Sequence, residues 1–90
     1  MAVVSVIAKI LPESPSENLE AIESYAKSAM EKEGAKNVSF EIQEVAFGLK
    51  AVMIKMAMPE EKGTDLIESA LSKIKGVSSV QIVDYRRAFG

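Results

Sequence analysis

The order in which two kinds of hydrophobic periodicity follow one another is the feature that most restricts the fold of this chain. Apolar residues recur at strand spacing from Val3 to Leu11, from Val38 to Ile42, from Leu49 to Met56 and from Val77 to Asp84, which predicts four strands. Segments with helical spacing separate the first strand from the second and the third strand from the fourth. The predicted order is therefore strand, helix, strand, strand, helix, strand.

Each helical segment begins at a polar residue and ends at a glycine. In the first, Ser14 is the predicted N-cap and Glu17 completes a capping box, and Ser16 is the alternative cap. Gly34 is the predicted end of this helix. The second is predicted between Thr64 as its cap and Gly76 as its end. The apolar stripe of the first helix consists of Leu19, Ile22, Tyr25, Ala26, Ala29 and Met30. That of the second consists of Leu66, Ile67, Ala70, Leu71 and Ile74.

One antiparallel sheet with both helices on one face buries the apolar sides of all six elements. Right-handed crossovers then place the first and third strands at the centre of the sheet. This arrangement is the α+β ferredoxin-like sandwich, a two-layer βαββαβ fold. With 48% hydrophobic residues in a chain of 90, we expect residues 1–90 to form a single domain.

The composition excludes most kinds of covalent catalysis. The chain contains no cysteine and no histidine, which removes disulfides, thiol nucleophiles, thiolate zinc sites and imidazole bases. A net charge of −2 disfavours electrostatic binding to nucleic acid. Carboxylates such as Glu41 and Glu44 lack the spacing of a metal loop. We therefore predict no catalytic residue, no bound cofactor and no metal site.

The apolar start of the chain is predicted to be a strand and not a targeting segment. The run from Val3 to Ala8 lacks the basic flank and the cleavage pattern of a signal peptide. Lys9 and Pro12 interrupt it far short of the roughly 20 residues that span a bilayer. We therefore expect no contact with a membrane.

An apolar hinge, Val45–Lys50, joins the second and third predicted strands and is the first candidate contact site. Gly48 permits a sharp turn or a positive φ, and Phe47 stands beside it. Two interpretations fit Phe47. The ring either projects from the rim of the domain, with Ala46 and Gly48 beside it, or folds back over the edge of the core, as most aromatic side chains in small domains do.

The tail that follows the fourth predicted strand is the second candidate contact site. It carries the only two arginines of the chain, Arg86 and Arg87, flanked by Tyr85 and Phe89. A guanidinium group is a permanent cation with a planar fork of donors that suits carboxylate or phosphate. The simpler alternative is a solvated pair of charges at the end of the chain.

The whole chain resembles the archaeal elongation factor 1-beta family, and less closely the C-terminal exchange domain of its eukaryotic relatives. The segments that carry the resemblance are Lys9–Pro15, the hinge Val45–Leu49, and the run from Gly76 to Arg87. The resemblance implies a guanine-nucleotide exchange factor of the cytoplasm that binds the GTPase elongation factor 1-alpha and speeds release of its GDP, with no covalent chemistry of its own.

The resemblance also implies which residues meet the GTPase. The matching positions are the hinge residues and the C-terminal tail, namely Ala46, Phe47, Gly48, Tyr85, Arg86, Arg87 and Phe89. In the eukaryotic domain a lysine near the C-terminus reaches toward the magnesium site of the GTPase. The last lysine here is Lys75, so that role does not transfer, and Arg86 or Arg87 is the candidate substitute.

Two other functions remain open from the residues alone. The first alternative is a ferredoxin-like regulatory module that binds a small ligand and pairs through the edges of its sheet. The second is a small nucleic-acid binder. An RNA-recognition motif would need outward aromatic rings on the two central strands to stack bases. The predicted outward positions there hold no aromatic residue; they are Ser5, Ile7, Lys9, Ala51, Met53 and Lys55.

Overall fold

The computed structural model describes residues 2–89, with Ala88 and Phe89 described by their backbone only. The strands are β1 (Val3–Pro12), β2 (Lys36–Glu44), β3 (Lys50–Pro59) and β4 (Val77–Phe89). The helices are α1 (Leu19–Lys32) and α2 (Thr64–Ser72), and a short 3₁₀ turn, Glu60–Lys62, precedes α2. Neither α-helix is long and apolar enough to cross a membrane.

The four strands form one sheet in the order β2-β3-β1-β4, and every neighbouring pair is antiparallel. The predicted central position of β1 and β3 is thus confirmed, as is the α+β ferredoxin-like sandwich. Both helices pack on the same face, so the core lies between the sheet and the helix layer. The opposite face of the sheet carries no helix, and we call it the open face.

The alternation in β1 decides which of its residues enter the core. Val4, Val6, Ala8 and Ile10 are all buried, whereas Ser5, Ile7 and Lys9 are only partly covered on the open face. The equivalent buried residues of β3 are Val52, Ile54, Met56 and Met58. Two adjacent strands therefore supply one continuous apolar surface for the helices.

The helix α1 begins later in the chain than the sequence pattern predicts. The N-cap is Asn18, whose side chain accepts a hydrogen bond from the Ala21 N–H at 3.2 Å. The Glu13 N–H donates to the Gly76 carbonyl at 2.8 Å, which ties the preceding segment to the start of β4. The segment from Ser14 to Glu17 is a separate turn, and the predicted capping box does not form.

The predicted apolar stripes of both helices are confirmed except at Tyr25 and Leu66, since Leu19, Ala29, Ala70 and Ile74 are partly buried against the core. Ile22, Ala26 and Met30 form the buried row of α1, while the Tyr25 side chain is 62% exposed. In α2 the buried residues are Ile67 and Leu71. The Tyr25 and Leu66 side chains lie at the margins of these stripes and stay in solvent, because the packed face of a helix covers only part of its circumference. Thr64 is the first residue of α2 and makes no side-chain cap.

The strand β4 continues five residues beyond its predicted end at Asp84 and includes the predicted contact residues Tyr85, Arg86, Arg87 and Phe89. Its register against β1 shifts at three places, one of them between Ile7 and Ala8. There Asp84 pairs with Ile7 and Ile82 with Ala8, so Val83 is the extra residue of a β-bulge. A bulge reverses which side chains face the core. The alternation of inward and outward side chains is therefore interrupted at Val83, although the strand itself continues.

Candidate functional site

The hinge between β2 and β3 is a tight turn with two residues at its tip. The Leu49 N–H donates to the Ala46 carbonyl at 3.2 Å, and the Val45 N–H donates to the Leu49 carbonyl at 2.9 Å. The two tip residues, Phe47 and Gly48, have φ values of +61° and +77°. Positive φ at both central positions is the property of the type I′ turns that match the twist of a hairpin.

Phe47 occupies a position that its residue type does not favour. Asn and Gly are the usual residues at positive φ, and a side chain with an ordinary Cβ costs about 1–2 kcal/mol there. The ring is also 97% exposed, so burial does not offset that cost. Of the two interpretations of Phe47, the structure supports the projecting ring. A backbone at positive φ together with a large exposed ring makes Phe47 the candidate contact residue of this turn.

Gly48 is required by the backbone conformation of the turn and not by the close approach of another segment. A Cβ added to Gly48 would meet no atom within 4 Å, but its φ of +77° is one that other residues rarely adopt. Ala46 beside it is exposed as well. The three hinge residues predicted to contact a partner therefore lie together at the tip of one hairpin.

A groove of about 310 Å³ lies beside this tip. Its apolar side is formed by Leu11, Val45 and Leu49, and Phe47 stands at its edge. Lys9, Ser79 and Gln81 provide the polar side. Lys9 pairs with Gln81, and Leu11 with Ser79, across β1 and β4, which places this part of the groove on the open face of the sheet. The Phe47 tip and this groove together are called the hinge site.

The two arginines near the end of β4 are both engaged by carboxylates. Arg87 makes a bidentate pair with Glu60, with Nη2 at 2.7 Å from Oε1 and 2.8 Å from Oε2, and Nε at 3.1 Å from Oε2. Arg86 donates one bond from Nε to the Asp84 Oδ1 at 3.1 Å. The Arg86 side chain is 78% exposed, against 63% for Arg87. Arg86 is therefore the arginine more readily available to a partner.

The other two predicted tail residues differ in what the structure describes. The Tyr85 side chain is 41% exposed and pairs with the position of Val6, on the helix side of the sheet. The Phe89 side chain lies outside the part of the chain that the structure describes. Tyr85 thus points to a different side of the sheet from Arg86, whose partner Ser5 faces the open side.

The hinge site and the end of β4 lie at opposite ends of the sheet. β3 brings the hinge to the end of β1 that contains Ile10, whereas Arg87 pairs with Val4 at the other end. The six residue steps of β1 from Val4 to Ile10 correspond to about 20 Å at the rise of an extended strand. The structure therefore groups Ala46, Phe47 and Gly48, and it keeps Tyr85, Arg86 and Arg87 apart from them.

Apart from Ala46 and Phe47, the residues that line the groove were not among the predicted site residues. Leu11, Ser79 and Gln81 come together with the hinge only through the pairing of β1 with β4. The one local signal was the pair of apolar residues, Val45 and Leu49, that flank the tip. Among the described residues, no group of three or more acidic, histidine or cysteine side chains is placed to hold a metal ion.

Comparison with known proteins gives consistent matches over nearly the whole chain. The sequence model of the EF-1 guanine nucleotide exchange domain matches residues 5–88. Elongation factor 1-beta of Metallosphaera sedula is 39% identical over 89 residues, which cover 97% of each chain. Elongation factor 1-beta of Methanocella arvoryzae is 37% identical over 90 residues, covering 99% of this chain and 100% of the relative.

A third relative agrees with the first two. Elongation factor 1-beta of Methanobrevibacter smithii is 40% identical over 80 residues, which cover 88% of this chain and 89% of the relative. The family match extends from β1 through the hinge to the end of β4. The chain therefore belongs to the elongation factor 1-beta family, whose domain is the EF-1 guanine nucleotide exchange domain.

Proposed function

We propose that this chain, as a single exchange domain, is a guanine-nucleotide exchange factor of the cytoplasm for elongation factor 1-alpha, the GTPase that brings aminoacyl-tRNA to the ribosome. It would promote release of GDP and so allow GTP to bind. The family and its domain support this proposal. The observation that carries it in this chain is Phe47, which has a positive φ and is 97% exposed at the tip of a hairpin closed by two backbone hydrogen bonds.

The hinge site has the geometry of a protein contact. Aromatic residues are enriched among the side chains that contribute most to binding at protein interfaces. Because the tip is only two residues long and held by two backbone hydrogen bonds, Phe47 loses little conformational freedom when a partner covers it. The groove beside it offers Leu11 and Leu49 as apolar contacts and Lys9 as a charge.

Exchange of this kind requires no covalent step by the factor. A GTPase holds its nucleotide partly through Mg²⁺ bridging phosphate and protein oxygens. A partner that distorts this site lowers the affinity for nucleotide, and by linkage the nucleotide lowers the affinity for the partner by the same factor. A coupling of about 3 kcal/mol corresponds to about 150-fold. The chain would then act as a binding protein and not as an enzyme of bond cleavage.

The tail contributes to the proposal in a more limited way. Arg86 is the exposed cation that could meet an acidic group of the GTPase, while Arg87 would first have to leave Glu60. Since this end lies about 20 Å of strand from the hinge, the two regions would contact separate patches of the partner. Tyr85 and Phe89 remain proposed contacts at this end of β4, with Tyr85 on the helix side of the sheet and Arg86 on the open face.

The alternative of a small-ligand regulatory module has less support. Family membership favours the exchange factor, since the matched domain is described by nucleotide exchange. The hinge groove is partly open to solvent and lies beside an exposed ring, whereas small-molecule sites usually enclose most of their ligand.

Release of fluorescent GDP from purified elongation factor 1-alpha, followed with and without this protein, tests the proposal. We expect release to become about 5- to 150-fold faster, because typical allosteric couplings change affinity by that factor and affinity changes lie mostly in the dissociation rate. Removal of Mg²⁺ with a chelator serves as the positive control for release. If the chelator accelerates release and a saturating amount of this protein does not, the proposal is wrong.

A further inference from the structure

A second exposed aromatic residue lies on the helix layer, far from the hinge site. Tyr25 of α1 is 62% exposed and lines a groove of about 410 Å³ between α1 and α2. The apolar floor of this groove consists of Ala29, Ala70 and Ile74, each partly covered. Ala29, Ala70 and Ile74 also pack against the core, so the exposed Tyr25 ring is the apolar feature of this groove that core packing does not explain.

The rim of the same groove is basic. Lys32 at the end of α1, and Lys73 and Lys75 after α2, line it, and all three are exposed. None of its lining residues is acidic. Among residues 2–87, the ion pairs are Lys62–Glu33, Arg86–Asp84 and Arg87–Glu60. The three rim lysines therefore have no carboxylate partner within the described part of the chain.

The charges of α1 are divided between its two sides. Glu20 and Glu23 line a different depression, between α1 and β2, where Lys27 is the only cation. The groove toward α2 instead carries lysines without carboxylates. In a chain of net charge −2, this division creates a local basic surface that the overall charge conceals. Charge complementarity therefore indicates an acidic occupant.

We propose that the groove formed by Tyr25, Ala29, Ala70 and Ile74, with its lysine rim, binds an acidic, amphipathic segment of a partner protein. A groove between two helices accepts the apolar face of a third helix, with anchors spaced by one turn. Two of the three floor residues, Ala29 and Ala70, have small side chains, which allow such a segment to approach closely. Three lysines and a single ring fit this occupant better than a nucleic acid, which would need a longer basic track with several stacking rings.

The proposal is tested with a fluorescein-labelled peptide of about four helical turns, carrying leucines on one face and glutamates on the other. We expect saturable binding that weakens as salt is added. In NMR spectra of the ¹⁵N-labelled protein, the shifts should centre on Tyr25, Ala29 and Ala70. The combined variant K32E, K73E and K75E should weaken binding by at least about tenfold.

The matched control reverses three other exposed lysines, K27E, K36E and K55E. This control changes the net charge equally, so it separates the groove from the field of the whole protein, and we expect it to retain most of the binding. Circular dichroism verifies that both variants fold. Equal losses in the two variants, shifts centred outside the groove, or tighter binding of a single-stranded uridine oligonucleotide would each overturn the proposal.

Failure of this proposal is distinguishable from failure of the proposed exchange activity. The groove lies on the helix layer, whereas the hinge groove opens on the opposite face of the sheet. We therefore expect the K32E, K73E and K75E variant to accelerate GDP release as the unaltered protein does. A peptide that binds the groove should likewise leave GDP release unchanged.

Discussion

Replacement of Phe47 by asparagine is expected to reduce the acceleration of GDP release by at least about tenfold, the loss associated with removal of an aromatic anchor from an interface. The same change should preserve or slightly raise the melting temperature. Asparagine tolerates the positive φ of this position, so the backbone strain of about 1–2 kcal/mol is partly relieved. The ring is 97% exposed, and its removal leaves no cavity. Stopped-flow GDP release and thermal unfolding measure the two effects.

The matched control for this variant is Tyr25→Asn. Tyr25 is also an exposed aromatic residue, 62% accessible, but it lies on α1, away from the hinge. We expect its replacement to leave GDP release unchanged. An equal loss in both variants, or full activity of Phe47→Asn, would contradict the assignment of the hinge site. A marked fall in the stability of Phe47→Asn would show instead that the ring supports the fold.

Replacement of Ile54 by alanine is expected to have the largest effect on stability, a loss of about 2–5 kcal/mol in the free energy of unfolding. Ile54 is fully buried in β3. It pairs with Ala8 on one side and with Phe40 on the other. Truncation there removes apolar contacts and leaves a cavity beneath the helices. Urea unfolding followed by circular dichroism measures the change.

Ile42→Ala provides the same chemical change on the edge strand β2. The Ile42 side chain is 46% exposed, so its truncation forfeits less buried area and opens no enclosed cavity. We expect a loss of about 1 kcal/mol or less, in proportion to the area it buries. If the two alanine variants lose equal stability, β3 does not lie at the centre of the core as the structure shows.

The strand order and the core could be predicted because their patterns are local and repeated. In β1, four alternate residues from Val4 to Ile10 are buried as the period of two requires. The order of the elements then restricts the topology, since right-handed crossovers leave β1 and β3 in the middle. The sequence-based predictions were wrong where a contact between residues distant in sequence determines the local structure. Asn18 caps α1 because the bond from Glu13 to Gly76 ties the preceding segment to the sheet.

The candidate site was predictable only in part, for a similar reason. Gly48 predicted the turn, but the sequence could not show that Phe47 itself has a positive φ and an exposed ring. The groove depends on the pairing of Lys9 with Gln81, which no local pattern encodes. The bulge at Val83 interrupts the alternation from which a strand is predicted. The pattern therefore predicts a tail at Arg86 and Arg87, although both residues belong to β4.

The central claim is that this protein binds elongation factor 1-alpha at the expense of bound guanine nucleotide. Its most direct test compares two dissociation constants of the complex, one with the nucleotide-free GTPase and one with the GTPase saturated with GDP, by isothermal titration calorimetry. The account predicts tighter binding to the nucleotide-free form, by the same factor by which this protein weakens GDP binding. Equal affinity for the two forms, or no binding to the nucleotide-free form, would contradict it.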